Sequence, residues 1–411
     1  MRSTGKLNEA GKPDRHGPGP MRRIVASRPT LRNTWRAAGL TRRGAPSKIV
    51  LEETATMTND KKTHRIALYP GDGIGSEVVD AALRVVDAAE QALGGFHLVY
   101  ERFDWGMAHY DRHGRVAPED FLLTLRAFDA IFLGAVGWPA RLPDSVTLIP
   151  LIWLRQAFDL YANVRPAQSF RGVVGPLRDD RPIDLVVVRE NSEGEYVDSG
   201  GTFAVGTPEE AAVQTAVHTR RGVQRILRFA FNLARTRRRR LAMITKSNAQ
   251  PHAYGLWDRV LAEVAPEFAD VAVEKLHVDA ATLHLVRRPH TFDVVVGSNL
   301  FGDILSDLTG GITGSLGLNA SANLNPERAY PSLFEPVHGS APDIAGKGIA
   351  NPTGAILSAA MMLQWLGEER AAVAVRRAVE QALADGNRTA DLDGTLSTAT
   401  MTAAIVERVR P

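Results

Sequence analysis

Residues 299–317 have the sequence NLFGDILSDLTGGITGSLG, in which two acidic residues precede a glycine-rich continuation. It follows an apolar, β-branched run at residues 292–296 (FDVVV), which is typical of a buried strand. Asp303 and Asp307 are four positions apart, so a helix would place both carboxylates on one face, about one turn apart. Such a pair favours a hard divalent cation such as Mg²⁺ or Mn²⁺, which prefers oxygen ligands. Two solvated acids on an exposed helix are the alternative.

The composition is that of an ordinary globular protein. The chain has 411 residues, of which 44% are hydrophobic and 23% charged, so it is long enough for two domains with sizeable cores. Because it contains no cysteine, disulfides and thiolate metal sites are excluded, and any metal needs oxygen or imidazole ligands. No apolar run approaches the roughly 20 residues of a membrane span, so no membrane partner is expected. The absence of cysteine fits a reducing cytoplasm, which is the predicted location.

The positive charge of the chain is concentrated in its first 56 residues. These contain nine arginines and three lysines against four acidic residues, whereas the whole chain carries only +3. The remainder is therefore net acidic, and we expect no nucleic-acid partner. A disordered tail, a targeting peptide and translated sequence upstream of a start at Met57 are the alternatives for this leader. We predict a basic, disordered and dispensable extension over residues 1–63.

Strand-like and helical segments alternate along the rest of the chain. A predicted strand at residues 66–70 precedes a glycine-rich turn, GDGIG, and an amphipathic helix over residues 76–93. Further short buried strands are predicted at residues 130–135, 183–188 and 241–245. This alternation indicates α/β architecture. The glycine-flanked segment 199–207 (SGGTFAVGT) is predicted to project as a hairpin.

Several charged residues adjoin these segments. Arg155 and Arg165 lie ten residues apart, and the helix between them is expected to end at ANVRP because Pro166 cannot continue it. Guanidinium groups bind carboxylates through paired N–H donors. Arg189 and Lys246 each lie at the carboxyl end of a predicted strand, where α/β proteins place ligand-binding residues. Taken singly, each arginine is best explained as a surface cation.

Two further residues complete the set of candidates, and an arginine run is excluded from it. Tyr196 lies in a glycine-containing loop, and Asp279 in the segment HVDAATLHLV adds a third acid. A lysine such as Lys246 can act as a base when it is desolvated beside a metal. The arginine run at residues 235–240 (RTRRRR) is interpreted as the solvated end of a helix that begins near Thr219, because cations suit a helix C-terminus.

The order of the motifs resembles a known family, the metal-dependent, decarboxylating β-hydroxyacid dehydrogenases. The motifs are GDGIG, NVRP, VVVRENSEGEY, TKSN, HVDA, NLFGDILSDL and EPVHGSAPDIAGKGIANP. The family comprises isocitrate, 3-isopropylmalate, homoisocitrate and tartrate/D-malate dehydrogenases. The resemblance implies a two-domain, isopropylmalate-dehydrogenase-like α/β fold that is not a Rossmann fold. Residues 64–160 with 314–411 would form the cofactor-side domain, and residues 161–313 an inserted substrate, metal and dimerisation domain, with the active site in the cleft between them.

The resemblance also implies roles for individual residues. Three arginines would bind the carboxylates of the malate core: Arg155, Arg165 and Arg189. Tyr196 would be the general acid and Lys246 the base or proton relay. Three acids would hold Mg²⁺ or Mn²⁺: Asp279, Asp303 and Asp307. Lys246 and Asp279 would enter the site from the second subunit of a homodimer, with segment 199–207 in an intersubunit clasp; a tetramer is left open.

The loop at residues 338–352 resembles the adenosine-binding loop of the family. Asp343 occupies the position that accepts the ribose hydroxyls of NAD, and its charge would repel the 2′-phosphate of NADP. Relatives that use NADP have a Lys-Tyr pair where this chain has Asp343 and Ile344. NAD is therefore the predicted cofactor. The residues implied in binding it are Gly73, Ile74, His338, Gly339, Ser340, Ala341, Asp343 and Asn351.

The segment 144–154 (DSVTLIPLIWL) corresponds to the part of the family that selects the third substituent of the substrate. It is apolar from Leu148 onward, which disfavours isocitrate, while Leu148, Leu151 and Ile152 are compatible with 3-isopropylmalate. However, PDSVTL, RENSEGEY and SANLNPERAYPSLFEPVHGS resemble the tartrate/D-malate branch more closely, although Ile-Pro replaces its Trp-Gly pair. The predicted reaction is the NAD-dependent oxidative decarboxylation of D-malate to pyruvate and CO₂, or the corresponding reaction with tartrate as the substrate.

The alternatives are 3-isopropylmalate dehydrogenase and, less expected, isocitrate dehydrogenase. A catalytically silent regulatory subunit is also less expected, since the metal acids, the lysine and the tyrosine are all present. A nucleic-acid-binding role through the basic segments lacks interleaved aromatic residues and a binding-fold motif.

Overall fold

The computed structural model describes residues 61–178 and 180–411, in which strands and helices alternate. The strands are β1 (Lys62–Gly71), β2 (Phe96–Arg102), β3 (Ala130–Ala135), β4 (Ala162–Gln168), β5 (Asp184–Glu190), β6 (Gly200–Phe203), β7 (Ala211–Gln214), β8 (Arg240–Thr245), β9 (Ala272–His277), β10 (Val294–Gly297), β11 (Ala320–Leu324) and β12 (Ser332–Pro336). The α-helices are α1 (Gly75–Leu93), α2 (Met107–His113), α3 (Phe121–Leu125), α4 (Asp144–Thr147), α5 (Ile149–Ala157), α6 (Arg220–Arg235), α7 (Ala253–Val264), α8 (Val278–Arg287), α9 (Asn299–Thr313), α10 (Thr353–Trp365), α11 (Glu369–Ala384) and α12 (Thr398–Val406).

In the described part of the chain, ten strands form one mixed sheet in the order β2-β1-β3-β12-β11-β4-β5-β10-β8-β9. Strands β2, β1, β3 and β12 are parallel to one another, as are β5, β10, β8 and β9. Strands β11 and β4 join these blocks through antiparallel pairings only. Because three successive pairings are antiparallel (β12 with β11, β11 with β4 and β4 with β5), the two parallel blocks run in opposite directions. The predicted α/β, non-Rossmann class is confirmed.

Both faces of the first parallel block are buried. Along β1, Ile66 and Leu68 belong to one hydrophobic cluster, while Ala67 and Tyr69 belong to another. This alternation follows from the two-residue period of a strand. Helices α1, α10 and α11 contribute to the first cluster, and α3 and α5 to the second. Parallel sheets require such cover on both faces, and here it fixes the position of α5, which carries Arg155.

Helix α1 confirms its predicted apolar face. The predicted residues are all buried: Val78, Val79, Ala82, Val85, Val86 and Ala89. The helix starts at Gly75, one residue earlier than predicted. A Cβ atom at that position would lie 2.1 Å from the carbonyl oxygen of Pro70, so the close approach of strand end and helix start requires glycine.

The prediction that ANVRP ends a helix is wrong. Helix α5 ends at Ala157, and Arg165 and Pro166 lie within strand β4. Strand β11 pairs with β4 only as far as Val164. Pro166 therefore lies beyond the part of β4 that has a partner on both sides, which is where a sheet tolerates a residue without an N–H group.

Two surface segments differ in detail from their predictions. Strands β6 and β7 form a hairpin, but the predicted segment 199–207 contains only its first strand, because the second, β7, lies wholly beyond residue 207. In the arginine run, Arg235 ends α6, whereas the Nε atom of Arg237 donates a 2.8 Å hydrogen bond to the buried carboxylate of Asp293. The interpretation of the run as a purely solvated helix end is therefore wrong, because Arg237 connects α6 to the strand β10 region.

Most of the predicted N-terminal extension, residues 1–60, lies outside the described residues, and β1 begins at Lys62. Among the helices of the described ranges, none has the length and apolar character needed to cross a bilayer.

Candidate active site

Helix α9 carries the two acids of the predicted metal pair, Asp303 and Asp307. The hydroxyl of Ser298 accepts a hydrogen bond from the Phe301 N–H and caps the helix directly after β10. Asp303 and Asp307 follow on the same face, as predicted. Nη1 of Arg165 lies 3.0 Å from Oδ1 of Asp303 and 3.6 Å from Oδ1 of Asp307. Strand β4 and helix α9 thus place one arginine beside both acids.

Asp303 is the centre of a hydrogen-bonded cluster. Its Oδ1 accepts from Arg165 and from Nη1 of Arg189, and its Oδ2 accepts a 2.7 Å hydrogen bond from the hydroxyl of Tyr196. Burial acts to raise the pKa of Asp303, but the positive charges of Arg189 and Arg165 together with the Tyr196 hydrogen bond hold it below its ordinary value. The carboxylate is therefore ionised at neutral pH.

Arg189 is an almost completely buried guanidinium, with 2% of its surface exposed. Its Nε donates a 2.8 Å hydrogen bond to Oδ1 of Asn299, and its Cζ atom lies 4.9 Å from the centre of the Tyr196 ring. Burial, and then the charge of Arg165, lower the pKa of Arg189 to about 10. A cation held this firmly between a carboxylate and an aromatic face is suited to bind an anion.

The approach of α9 to β5 depends on Gly302. A Cβ atom at this position would lie 2.5 Å from Cβ of Arg189 and 2.8 Å from its Cα. Glycine at position 302 therefore lets α9 pack closely against Arg189, which can then contact Asp303, the next residue of the helix.

Tyr196 holds its proton firmly. Burial, the hydrogen bond to Asp303 and the negative charge of Asp303 raise its pKa above the ordinary tyrosine value. The phenol is therefore protonated throughout the neutral range and is available as a proton donor.

Arg155 has a partner that the sequence analysis missed. Its Nη2 donates a 2.8 Å hydrogen bond to Oε1 of Glu335, and the same oxygen accepts from Nδ2 of Asn323 at 2.8 Å. Glu335 lies in β12 and is buried. The signal for it was a lone acid in the otherwise apolar strand SLFEP, directly before the glycine-rich loop.

A small cavity joins this arginine to the tyrosine. It is lined by Ile152, Arg155, Gln156, Asn191, Tyr196 and Asn299. Asn191 and Asn299 were also missed, although each lies beside a quoted motif residue, in VVVRENSEGEY and NLFGDILSDL respectively. The structure therefore brings Arg155, Arg165, Arg189, Tyr196 and Asp303 into one connected region.

Lys246 and Asp279 form a separate pair. Lys246 follows β8, Asp279 lies in the first turn of α8 after β9, and these strands are parallel neighbours. Nζ of Lys246 donates a 2.7 Å hydrogen bond to Oδ1 of Asp279, and this contact lowers the pKa of Asp279. Within residues 61–178 and 180–411, no hydrogen bond or ion pair links this pair to Asp303 or Asp307.

The residues of α9 fit a divalent cation in their donor chemistry. In the described ranges, no group of three acidic or histidine side chains converges on a metal position. Asp303 and Asp307 nevertheless supply two carboxylates one turn apart. Burial raises the pKa of Asp307, and its nearest cation is Arg165 at 3.6 Å. A third carboxylate from elsewhere would complete an all-oxygen set of the kind that Mg²⁺ and Mn²⁺ take.

The predicted cofactor residues meet at the carboxyl ends of β1 and β12. The N–H of Ile74 donates a 2.8 Å hydrogen bond to the carbonyl of Ser340, and a Cβ atom at Gly73 would lie 1.9 Å from that oxygen. Nε2 of His338 is buried without a hydrogen-bond partner, and burial lowers the pKa of this histidine. A neutral imidazole with a free ring nitrogen fits a nucleotide base.

The remaining predicted cofactor residues lie in the same loop. Gly339 and Asp343 are exposed, and Ala341 adopts a positive φ of 38°. Asn351 is buried and donates a 3.0 Å hydrogen bond to Asp391. Asp343 is exposed, and its carboxylate can accept hydrogen bonds from the hydroxyl groups of a nucleotide.

Buried arginines around an ionised acid, a protonated tyrosine and a loop that fits a nucleotide are the site features expected of dehydrogenases that act on hydroxy acids. Residues 65–409 match the family described as isocitrate/isopropylmalate dehydrogenase, and the chain belongs to this family. It is a decarboxylating dehydrogenase. Membership implies dependence on NAD(P) and a divalent metal and action on hydroxy-acid substrates.

Individual relatives agree with this assignment. A probable tartrate dehydrogenase/decarboxylase of Agrobacterium vitis is 49% identical over 352 residues, covering 85% of this chain and 98% of the relative. The decarboxylating D-malate dehydrogenase of Escherichia coli K12 is 47% identical over 354 residues, covering 84% and 98%. The crystal structure of isocitrate dehydrogenase from Methylococcus capsulatus is similar with a TM-score of 0.76 and 42% identity, covering 85% of this chain and all of that one.

Proposed function

We propose that the chain catalyses the NAD- and Mg²⁺- or Mn²⁺-dependent oxidative decarboxylation of a malate-type 2-hydroxy dicarboxylate, with D-malate and tartrate as substrates. The observation that carries the proposal is the Asp303 carboxylate, which Arg165, Arg189 and Tyr196 contact at once. A metal-type acid, carboxylate-binding donors and a proton donor are thereby held in one cluster. The tartrate and D-malate relatives support the choice of substrate.

The arginines bind and orient the substrate carboxylates. Arg165 and Arg189 are held from one side by Asp303 and remain rich in N–H donors. Arg155 lines the cavity, and its buried Nε atom has no hydrogen-bond partner. An incoming carboxylate would supply that missing acceptor. Fixing both carboxylates positions C2 and its hydrogen for transfer.

Two side chains handle protons during the reaction. When bound, the divalent ion would stabilise negative charge on the substrate oxygens, and NAD would accept the hydride from C2. Lys246 is the group assigned to take the proton of the C2 hydroxyl as the hydride leaves, directly or through a relay. The resulting β-keto acid loses CO₂, and Tyr196 gives its proton to the enol carbon, which yields pyruvate from D-malate.

The proposal includes a homodimer with shared sites. Lys246 and Asp279 are bonded to each other and stand apart from the Asp303 cluster of their own chain, which supports their use in the site of a second copy. The proposed domains, residues 64–160 with 314–411 and residues 161–313, would meet where β11 pairs with β4. A cytoplasmic location is proposed on the cysteine-free composition.

The second candidate substrate is 3-isopropylmalate. Ile152 lines the cavity, which supports an apolar contact with the substrate. Leu151, however, is buried in the hydrophobic cluster beneath the first parallel block. It is therefore occupied by core packing, whereas the polar residues Asn191 and Gln156 are among those that line the cavity. These observations favour a hydroxylated or unsubstituted malate.

The test is NADH formation by the purified protein with Mn²⁺ and NAD. D-malate, L-tartrate, 3-isopropylmalate and isocitrate are compared by kcat/KM. The proposal expects D-malate or tartrate to lead by about tenfold or more, equivalent to about 1.4 kcal/mol in transition-state binding. A lead of that size for 3-isopropylmalate would replace the proposed substrate, and no NADH with any of the four would overturn the proposed function.

A further inference from the structure

Asn191 is a buried amide at the edge of the candidate site. It follows β5 directly, has 3% of its surface exposed, and lines the cavity together with Arg155 and Tyr196. None of the catalytic, metal or carboxylate-binding roles proposed above uses it. Its hydrogen-bonding pattern decides what it offers to a ligand.

The orientation of the Asn191 amide is fixed by its neighbours. Nδ2 donates to the carbonyl oxygen of Leu160 at 3.1 Å and to Oδ1 of Asn323 at 2.9 Å. A backbone carbonyl is only an acceptor, so it must face the NH₂ end of the amide. Asn323 is fixed in turn, because its Nδ2 donates to the Glu335 carboxylate. Both N–H groups of Asn191 are therefore committed to the protein.

The carbonyl oxygen of Asn191 is left over. Oδ1 is buried and has no hydrogen-bond partner. A buried polar atom without a partner is costly, and each such atom calls for an explanation. Nε of Arg155, on the wall of the same cavity, is also buried without a partner. Two residues that line the cavity thus each carry a buried atom without a partner, one an acceptor and one a cationic donor, and together these atoms match a hydroxyl group beside a carboxylate.

We propose that Oδ1 of Asn191 accepts a hydrogen bond from a hydroxyl on C3 of the substrate, so that Asn191 selects tartrate over D-malate and over 3-alkylmalates. This inference rests on the proposed function. An amide carbonyl is far too weak a base to take the proton of the C2 hydroxyl, which is lost as the hydride leaves. The hydroxyl that remains intact through oxidation is the one on C3. D-malate has hydrogen there, and would leave Oδ1 unpaired.

The direction of discrimination follows from that unpaired atom. A site built to hydrogen-bond a substrate hydroxyl discriminates strongly against the analogue that lacks it, because the polar group of the site then stays buried without a partner. Glu335 and Asn323 act as positioning residues, since they orient the amide of Asn191 without lining the cavity.

The test compares Asn191→Leu with the wild-type enzyme on L-tartrate and D-malate, with Mn²⁺ and NAD. We expect the ratio of kcat/KM for tartrate to that for D-malate to fall about tenfold or more. An equal loss on both substrates, or an unchanged ratio, would overturn the proposal. Asn191→Ala is measured in the same way if thermal unfolding shows that the leucine variant does not fold.

Asn163→Leu is the matched control. Asn163 donates to the same Oδ1 of Asn323, at 3.0 Å, and its own Oδ1 is also buried without a partner, but it does not line the cavity. Its variant should leave the substrate ratio within about twofold of wild type. A change as large as that of Asn191→Leu would show that the effect comes from disturbing the amide network. Wild-type enzyme inactive on both substrates would instead refute the proposed function.

Discussion

The hydroxyl of Tyr196 donates a 2.7 Å hydrogen bond to Oδ2 of Asp303, the carboxylate whose other oxygen accepts from Arg165 and Arg189. The Asp303 carboxylate thus fixes the position of the proposed proton donor and of the two arginines proposed to bind the substrate. The same contact keeps the phenol protonated, since it raises the pKa of Tyr196. Substitutions of Tyr196 and of Asp303 should therefore affect catalysis in different ways.

Tyr196→Phe should remove the proton that completes the reaction while leaving the ring stacked beside Arg189. We expect kcat to fall about 100-fold or more, with a smaller change in KM. Steady-state NADH formation measures both. Tyr100→Phe is the control, because its hydroxyl bonds to Asp87 in a different part of the sheet and should leave kcat unchanged. A Tyr196→Phe enzyme with wild-type kcat would rule out the proposed role.

Asp303→Asn and Asp307→Asn should both abolish metal-dependent turnover but differ in stability. Asp303 neutralises Arg189 and Arg165, whose side chains are only 2% and 8% exposed. Losing its charge should lower the free energy of unfolding by about 1–3 kcal/mol. Asp307 is 56% exposed and 3.6 Å from its nearest cation, so Asp307→Asn should leave the stability of metal-free protein unchanged. Urea unfolding and Mn²⁺ titration of NADH formation separate the two effects. Full activity in Asp307→Asn would contradict the metal assignment.

Gly302→Ala should disrupt the contact between α9 and Arg189, because the new Cβ would lie 2.5 Å from that of Arg189. We expect lower activity and a loss of about 1–3 kcal/mol in stability. Gly311 lies in the same helix with no atom within 4 Å of its Cβ position. Gly311→Ala should therefore stabilise the protein by about 0.5–1 kcal/mol through helix propensity. Thermal unfolding of both variants is the measurement, and equal melting temperatures would contradict the steric argument.

The stability of the fold should decrease as the pH rises through the titration of Glu190. Burial raises the pKa of this carboxyl from 4.5 to about 7. A raised pKa means that the folded state binds the proton more tightly, so the associated stability is full below pH 4.5 and is lost as the pH rises to about 7. Glu190→Gln should flatten this part of the curve. Urea midpoints at pH 4.5, 6 and 8 measure it, and an unchanged slope in the variant would contradict the assignment.

The α/β rhythm was predictable because strand and helix periodicities are local. The buried face of α1 and the two acids of α9 followed from spacing alone. Strand β4 was not predicted, because a proline such as Pro166 is unfavourable in a helix and in a central strand. The structure shows why Pro166 is tolerated: the pairing of β11 with β4 ends at Val164. The Glu335–Asn323–Asn191 network joins three elements far apart in sequence, so no local pattern could indicate it. The anchoring of Arg237 by Asp293 was hidden for the same reason.

The pairing of Lys246 with Asp279 has a consequence for mixed assemblies. If each site takes its tyrosine from one chain and its lysine from the other, two inactive variants should complement each other. In a dimer of one Tyr196→Phe chain and one Lys246→Ala chain, one active site would contain both substitutions. The other active site would contain the native tyrosine and the native lysine. Unfolding and refolding the two variants together should then restore NADH formation that neither shows alone. A mixture that forms heterodimers but stays inactive would mean that every chain works with its own lysine.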